Sequence, residues 1–185
     1  MEFESRLEMM KAILKPDANL CEVGVFLGEF SSTLLRFRPA RLVLVDPWEG
    51  ILPSGDVDGN NVKHANLPNV YEHMKEVAKE IPEIELRRGL STDVLPTFPD
   101  ATFDMLYIDS AHDYETTKKE LELAWLKVKP GGFIAFHDYE INKEKCKHDY
   151  SFGVKQAVDE FMATKGISLW GKAMDGCVSG AIQVS

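Results

Sequence analysis

Polar side chains recur at the carboxyl ends of the predicted strands of this sequence. They are Glu22, Asp46, Ser91, Asp109, His137 and Asp138. Carboxylates and imidazoles of this kind can ligate a metal ion, transfer a proton or hold a cationic ligand. In an open parallel sheet, ligands bind outside the carboxyl ends of the strands. The shared placement therefore predicts one functional site at that edge.

The first of these strands runs into a turn with the sequence EVGVFLG, from Glu22 to Gly28. A dinucleotide-binding turn carries a glycine at its middle position, so that the backbone can approach a pyrophosphate. Here that position is Phe26, which disfavours a diphosphate ligand. Asp46 lies roughly 20 residues beyond Gly24, where an acid that binds a ribose belongs. The pattern favours a nucleoside ligand without phosphates, such as S-adenosylmethionine.

Apolar stretches predict the elements that position these residues. The predicted strands are 20–25, 41–45, 84–87, 103–108 and 133–136. Helical stretches separate them, and right-handed crossovers then give a parallel sheet with helices on both faces. We expect an α/β fold with a Rossmann-like, doubly wound sheet in a single domain over residues 1–185. Its cofactor-binding core would lie at about 19–140, and a C-terminal helix and hairpin at about 153–185.

The two ends of the chain are predicted to add a helix and a hairpin. Apolar residues at helical spacing predict an amphipathic N-terminal helix over about residues 2–15. Near the C-terminus, residues 167–170 and 178–184 are predicted to pair as a hairpin. The polar stretches 47–67 and 139–152 are expected to be loops, which at this length are usually functional.

The composition limits the partners of the protein. A formal net charge of −9 repels phosphate backbones, and the basic clusters are interleaved with acids, so no nucleic-acid partner is expected. No apolar run has the length to span a bilayer, and the N-terminus lacks an apolar signal core, so no membrane association is expected. The three cysteines form no Cys-x-x-Cys pair, which favours a reducing cytoplasm as the location.

Two segments resemble the small class I S-adenosylmethionine-dependent methyltransferases related to macrocin O-methyltransferase and cephalosporin hydroxylase-like proteins. The first segment is EVGVFLGEFSST at 22–33. The second is DMLYIDSAHDY at 104–114, which continues to KPGGFIAFHD at 129–138. The resemblance covers about residues 19–140 and implies S-adenosylmethionine as the cofactor. It also implies a last strand antiparallel to the rest of the sheet, which suits the predicted hairpin.

The resemblance implies a cofactor-binding role for seven residues. They are Glu22, Gly24, Gly28, Asp46, Trp48, Ser91 and Asp109. Glu22 and the two glycines would shape the pocket for the methionine half, and Asp46 would hold the ribose hydroxyls. Trp48 would lie against the adenosine, with packing of the following loop as the alternative. Ser91 would lie near the adenine, and it could also be the N-cap of the helix that follows.

The same resemblance implies a divalent metal held by Asp109, His137 and Asp138. Oxygen ligands suit magnesium, and adjacent strand ends would bring these groups together. His137 departs from the acidic or amide residue usual at its position, which would shift the preference to manganese or iron or leave the site without metal. The alternative is that His137 and Asp138 only bond the loop after the strand.

His112 is the candidate general base, with an ordinary histidine at a helix start as the alternative. A hydroxyl is a poor nucleophile until it is deprotonated, a metal lowers its pKa, and an imidazole with a pKa near ~6.5 can accept the proton. Asp109 would take part in the reaction beside it.

The sequence thus predicts a methyltransferase that acts on the hydroxyl of a small molecule, such as a sugar or a natural product. Three alternatives remain open at this point: an N-methyltransferase, an NAD-dependent oxidoreductase and a non-catalytic S-adenosylmethionine-binding module. The amphipathic N-terminal helix also leaves a homo-oligomer open, because it could cover its own sheet or that of a neighbour.

Overall fold

The computed structural model describes residues 1–49, 66–141, 152–174 and 176–185, which form one sheet flanked by helices. The strands in this part of the chain are β1 (Glu2–Phe3), β2 (Asn19–Val23), β3 (Arg41–Asp46), β4 (Ile84–Arg88), β5 (Phe103–Ile108), β6 (Val128–Ile141), β7 (Gly171–Ala173) and β8 (Cys177–Gln183). The helices are α1 (Arg6–Ile13), α2 (Glu29–Leu35), α3 (Leu67–Glu80), α4 (Ser91–Val94), α5 (Tyr114–Lys127) and α6 (Val154–Lys165).

The strands form a mixed sheet in the order β1-β7-β8-β6-β5-β2-β3-β4. Every neighbouring pair is parallel except the two that involve β8, which runs antiparallel to β6 and β7. This confirms the predicted Rossmann-like sheet with an antiparallel C-terminal hairpin. After β4 the chain returns to place β5 beside β2, so the loops after β2 and β5 diverge from a common point. Ligands bind at such a switch in strand order.

The alternation of side chains along the strands builds one apolar core on each face of the sheet. On β2, Leu20 packs towards α1, α2 and α3, while Cys21 packs towards α4, α5 and α6. Neighbouring strands repeat this pattern with fully buried Leu42 and Val43 on β3. Each such side chain contributes about 1.5–3 kcal/mol to folding. The two cores hold the strand ends at fixed positions relative to each other.

The N-terminus differs from its prediction. Helix α1 begins at Arg6 rather than near residue 2, because the Ser5 side chain accepts a hydrogen bond from the Glu8 N–H at 3.3 Å and caps the helix there. The preceding Glu2 and Phe3 form β1, which pairs with the edge of β7, and the Phe3 ring stacks on Trp170. None of the helices in the described ranges is long and apolar enough to cross a membrane.

The C-terminal part also differs in detail from the prediction. The first hairpin strand is β7 at Gly171–Ala173, later in the chain than the predicted 167–170. Strand β6 continues to Ile141, so the predicted loop 139–152 begins as a strand. Most of that loop, residues 142–151, lies outside the described residues, as do residues 50–65 of the predicted loop 47–67.

Candidate active site

The turn after β2 lies in contact with the end of β5. Gly24 has a φ of +84° and donates its N–H to the Val45 carbonyl at 2.9 Å. A Cβ at Gly24 would stand 1.9 Å from the carbonyl oxygen of Asp109, which no real structure tolerates. The Asp109 N–H in turn donates to the Val23 carbonyl at 2.8 Å. Only glycine therefore allows the two strand ends to meet. Gly28, at a φ of +81°, is the N-cap of α2.

Asp46 braces this turn from the end of β3. Its Oδ2 accepts the N–H groups of Val25 and Phe26, both at 2.9 Å, and its Oδ1 accepts the Trp48 N–H at 2.6 Å. Burial raises the pKa of Asp46 above its usual range, although these three N–H groups oppose the rise. A carboxylate has about four acceptor positions. Asp46 therefore keeps one acceptor position while it holds the turn, and its predicted contact with the ribose stays a prediction.

The bracing of the turn also decides which ligands it can take. A turn that binds a pyrophosphate must offer its backbone N–H groups to the phosphate oxygens. Here the Val25 and Phe26 N–H groups are donated to Asp46, and the Gly28 N–H is donated to the Val25 carbonyl at 2.9 Å. Phe26 itself takes the left-handed backbone at a φ of 52°. The turn fits a nucleoside better than a dinucleotide.

Trp48 lies next to the turn, fully buried. Its indole Nε1 donates to the Phe26 carbonyl at 3.3 Å, and its ring lies 5.1 Å from that of Tyr71 on α3. Trp48 thus packs against the glycine turn and α3, whereas most of the loop that it was predicted to pack lies outside the described residues. The contact with adenosine stays a prediction.

Glu22 is buried beneath the turn, where Ser31 of α2 donates its hydroxyl to Oε2 at 2.5 Å. Burial raises the pKa of Glu22 to about 8, against the effect of the Ser31 hydroxyl, and the charges of Asp109 and Asp46 raise it further. Glu22 thus joins the first strand of the site to the helix that follows the turn. It supports the predicted methionine pocket from below.

Two aspartates and two histidines meet beside this turn, as the sequence predicts for a catalytic and metal-binding cluster. The pairing of Ile108 with Phe136 brings the following residues, Asp109 and His137, together. His137 Nδ1 lies 2.8 Å from Asp138 Oδ2 and 3.4 Å from Asp109 Oδ1. His112 Nε2 approaches the same two oxygens, at 2.9 Å and 3.4 Å.

A bulge in β6 explains how two adjacent residues reach one cluster. Neighbouring side chains in a regular strand point to opposite faces of the sheet. The pairing of β6 with β8 is irregular between Phe136 and Glu140, and Asp138 has a φ of 55°. Bulges of this kind re-aim side chains next to active sites. The irregular backbone therefore lets both His137 and Asp138 face Asp109.

The charges of this cluster are strongly coupled. Burial would lower the pKa values of His112 and His137, but the hydrogen bonds and charges of Asp109 and Asp138 outweigh it and raise them to about 10 and about 9. The same bonds hold the pKa values of Asp109 and Asp138 below their usual range, although burial opposes this. Two imidazolium and two carboxylate groups thus balance one another.

The ligand set fits a divalent metal ion. Asp109, His137 and Asp138 each offer one ligand atom, and these atoms lie within 4.8 Å of one another. Ligands around an ion at about 2.1 Å can be up to about 4.2 Å apart, so a small inward movement would close the site. Two oxygens and one imidazole nitrogen form a mixed set that suits manganese and iron as well as magnesium.

Glu120 of α5 is a buried residue of this region that the sequence analysis missed. Its Oε1 accepts the hydroxyls of Ser91 at 2.5 Å and of Ser110 at 2.6 Å, and Oε2 has no partner in the part of the chain that the structure describes. Ser91 is the first residue of α4, after Leu90 as the N-cap, so the N-cap role suggested for Ser91 is wrong. The available signal was helical spacing, because buried Thr117 lies three residues before Glu120.

Replacement of Glu120 by glutamine should flatten the pH dependence of stability. Burial raises the pKa of Glu120 from 4.5 to about 7, although the Ser110 and Ser91 hydroxyls oppose the rise. The folded state therefore holds the Glu120 proton more tightly than the unfolded state does. The stability that this gives the folded state is lost as the pH rises through about 7. Between about pH 5 and about pH 8, we expect the wild type to lose about 2 kcal/mol of unfolding free energy that Glu120→Gln keeps.

Urea denaturation at the two pH values measures this difference. The control is Glu122→Gln, on the same helix but exposed, which should follow the wild type. An equal pH dependence in Glu120→Gln and the wild type would show that Glu120 has no raised pKa.

The chain belongs to a known family: residues 21–139 match the family described as a methyltransferase domain. A relative from Sinorhizobium fredii, uncharacterized protein y4gI, is 27% identical over 139 residues, which cover 69% of this chain. This chain spans only 14% of the length of that relative. The predicted class, a class I S-adenosylmethionine-dependent methyltransferase, is thereby confirmed at the level of the family.

Solved structures share the fold of this chain. The O-methyltransferase NovP superposes with a TM-score of 0.71 at 23% identity, covering 97% of this chain and 79% of its own. A putative rRNA-methylase from Clostridium thermocellum superposes with a TM-score of 0.64 at 16% identity, covering 97% of this chain and 93% of its own. The O-methyltransferase from Bacillus cereus, in complex with SAH, superposes with a TM-score of 0.59 at 17% identity, covering 90% of this chain and 74% of its own. At these identities the likeness shows the fold alone.

Proposed function

We propose that this protein transfers a methyl group from S-adenosylmethionine to a hydroxyl of a small molecule. The observation that carries the proposal is the cluster of Asp109, His112, His137 and Asp138 beside the Gly24 turn. It combines a candidate base with a candidate metal site at the edge of the sheet where cofactors bind.

S-adenosylmethionine suits the charges and donors of this edge. Its sulfonium carries a positive charge, and Glu22, Asp46, Asp109 and Asp138 all lie around the turn. Asp46 retains an acceptor position for the ribose, whereas the N–H groups that a diphosphate would need are already used. These features favour S-adenosylmethionine over NAD, so the oxidoreductase is the weaker hypothesis.

The reaction is an in-line displacement in which the acceptor oxygen forms a bond to the methyl carbon. The bond from that carbon to sulfur breaks, its electron pair stays on sulfur, and S-adenosylhomocysteine leaves as a neutral thioether. The hydroxyl proton goes to His112 Nδ1, while Nε2 donates to Asp138 at 2.9 Å and lies 3.4 Å from Asp109, so that the two carboxylates stabilise the resulting imidazolium.

Asp109, His137 and Asp138 would hold the metal in this mechanism. A divalent cation bound there would lower the pKa of the acceptor hydroxyl and draw charge from the two aspartates. His112 must be neutral before it can accept a proton. Burial would lower its pKa, but the hydrogen bonds and charges of those aspartates raise it to about 10. A cation held there would therefore lower the pKa of His112 and favour its neutral form.

A small acceptor follows from the charge of the protein. The net charge of −9 repels a phosphate backbone. A hydroxyl acceptor is favoured over an amine because the cluster combines a candidate base with a candidate metal site. A hydroxyl needs this activation more than an amine does.

A screen with isotopically labelled S-adenosylmethionine tests the proposed function. Candidate sugars, phenols, amines and RNA are incubated with the protein, with and without EDTA, and methylated products are read by mass spectrometry. We expect label on the oxygen of a small molecule, an at least about 100-fold loss in EDTA, and recovery with excess Mg²⁺ or Mn²⁺.

Each other outcome contradicts a defined part of the proposal. Label on RNA would contradict the small acceptor, and label on nitrogen would contradict the hydroxyl. Full activity in EDTA would contradict the metal site alone. Asp93→Asn, an exposed change on α4, is the control for Asp138→Asn, which should lose both metal affinity and activity.

A further inference from the structure

The N-terminal segment brings a positive charge to the acidic edge of the sheet. Phe3 of β1 pairs with Ala173 of β7, which pairs with Ser179 of β8. The next residue of β8, Gly180, pairs with Phe136, directly before His137. Phe3 therefore lies level with the end of the regular part of β6. Arg6, the first residue of α1, follows at this same edge of the sheet.

The Arg6 guanidinium lies above residues that surround the predicted methionine pocket. Its Nη1 donates to the Tyr107 hydroxyl at 3.4 Å, and its Cζ lies 5.2 Å from the centre of the Phe30 ring. Phe30 is in the first turn of α2, directly after the turn that ends at Gly28, and its ring lies 4.2 Å from that of Tyr107. Tyr107 is paired in register with Glu22. Arg6 is thus half-buried against the first turn of α2, on the face covered by α1, α2 and α3.

The two imidazolium groups at this edge are already paired with Asp109 and Asp138, so an anionic ligand group needs a further cation. The methionine half of the cofactor carries a sulfonium and an ammonium, which the acids Glu22, Asp46 and Asp109 suit. It also carries an α-carboxylate, which the same acids repel. The positive charge of Arg6 already acts on this region, because it opposes the rise in the pKa of Glu22 caused by burial.

We propose that Arg6 binds the α-carboxylate of the methionine half of S-adenosylmethionine. The assignment rests on the proposed function. A guanidinium presents parallel N–H donors that match both oxygens of a carboxylate, which an ammonium cannot do. The Phe30 ring and the Tyr107 hydroxyl hold the guanidinium plane in place, so little freedom is lost when the ligand binds.

Calorimetric titration with two ligands tests this assignment. The ligands are S-adenosylhomocysteine and its decarboxylated analogue, which keeps the nucleoside, the sulfur and the amine. We expect Arg6→Met to bind S-adenosylhomocysteine about tenfold or more weakly than the wild type, because charged hydrogen bonds are lost. The analogue should bind both proteins equally, and Arg6→Lys should recover part of the loss.

The control is Arg36→Met, an exposed change at the far end of α2, which should leave both affinities unchanged. An equal loss for both ligands in Arg6→Met would overturn the assignment, since Arg6 would then only support the fold. Unchanged affinity for S-adenosylhomocysteine would overturn it as well. If the wild type bound neither ligand, the proposed function itself would be wrong. Thermal melting of Arg6→Met and the wild type identifies any loss of folded protein.

Discussion

Replacing His112 by alanine is expected to lower kcat for methyl transfer by about 100-fold or more, the usual contribution of a positioned general base. The affinity for S-adenosylhomocysteine should stay unchanged, because His112 lies on the side of Asp109 and Asp138 and packs against Phe152 rather than against the glycine turn. Single-turnover kinetics with an accepted substrate measure the first quantity, and calorimetric titration measures the second.

The control for this variant is His73→Ala, an exposed histidine on α3, which should change neither quantity. An unchanged kcat in His112→Ala would show that another group takes the proton. A parallel loss of cofactor affinity would place His112 in the support of the pocket. The expected split between kcat and affinity also separates an enzyme from a non-catalytic binding module.

Replacing Gly24 by alanine should have the largest effect on stability, at least about 4 kcal/mol, or should prevent folding. The new Cβ would stand 1.9 Å from the Asp109 carbonyl oxygen and 2.7 Å from the Ser110 Cα, so β2 and β5 would have to separate at their ends. Urea denaturation measures the loss. Cofactor binding should disappear with it, because both strand ends line the proposed pocket.

Gly131→Ala is the matched control for Gly24→Ala. Gly131 has nearly the same backbone, with a φ of +83°, but a Cβ there would meet nothing within 4 Å. Gly131→Ala should lower the free energy of unfolding by only about 1–2 kcal/mol, which is the cost of the left-handed backbone for alanine. If the two variants lost equal stability, the close approach of Asp109 to Gly24 would not be the reason that position 24 requires glycine.

Much of the fold follows from the sequence because buried parallel strands have a strong signature. The predicted strand 103–108 coincides with β5, and the predicted strand 41–45 is extended only by Asp46. The predicted cluster also forms, since the carboxyl ends of β5 and β6 are neighbours in register. Parallel pairing alone is enough to bring Asp109 to His137.

Other features of the site could not be predicted, for reasons that differ. Strand β1 has only two residues, and edge pairing of backbone groups leaves no side-chain pattern. A buried acid on a helix, such as Glu120, looks like part of a solvated face until its neighbours are known. The bulge at Asp138 depends on the register of β8, which lies far along the chain. The position of Arg6 could not be predicted because it depends on the pairing of β1 with β7.

The backbone bonds to Asp46 have a consequence for the energetics of ligand capture. The turn is already held by two hydrogen bonds from its own backbone to Asp46, and a third bond joins Asp46 to the Trp48 N–H. A nucleoside that binds there does not have to order the backbone of the turn, so the entropic penalty of binding should be small. A variant that frees the turn, such as Asp46→Ala, should therefore weaken nucleoside binding through a less favourable entropy as well as through loss of the proposed ribose contact.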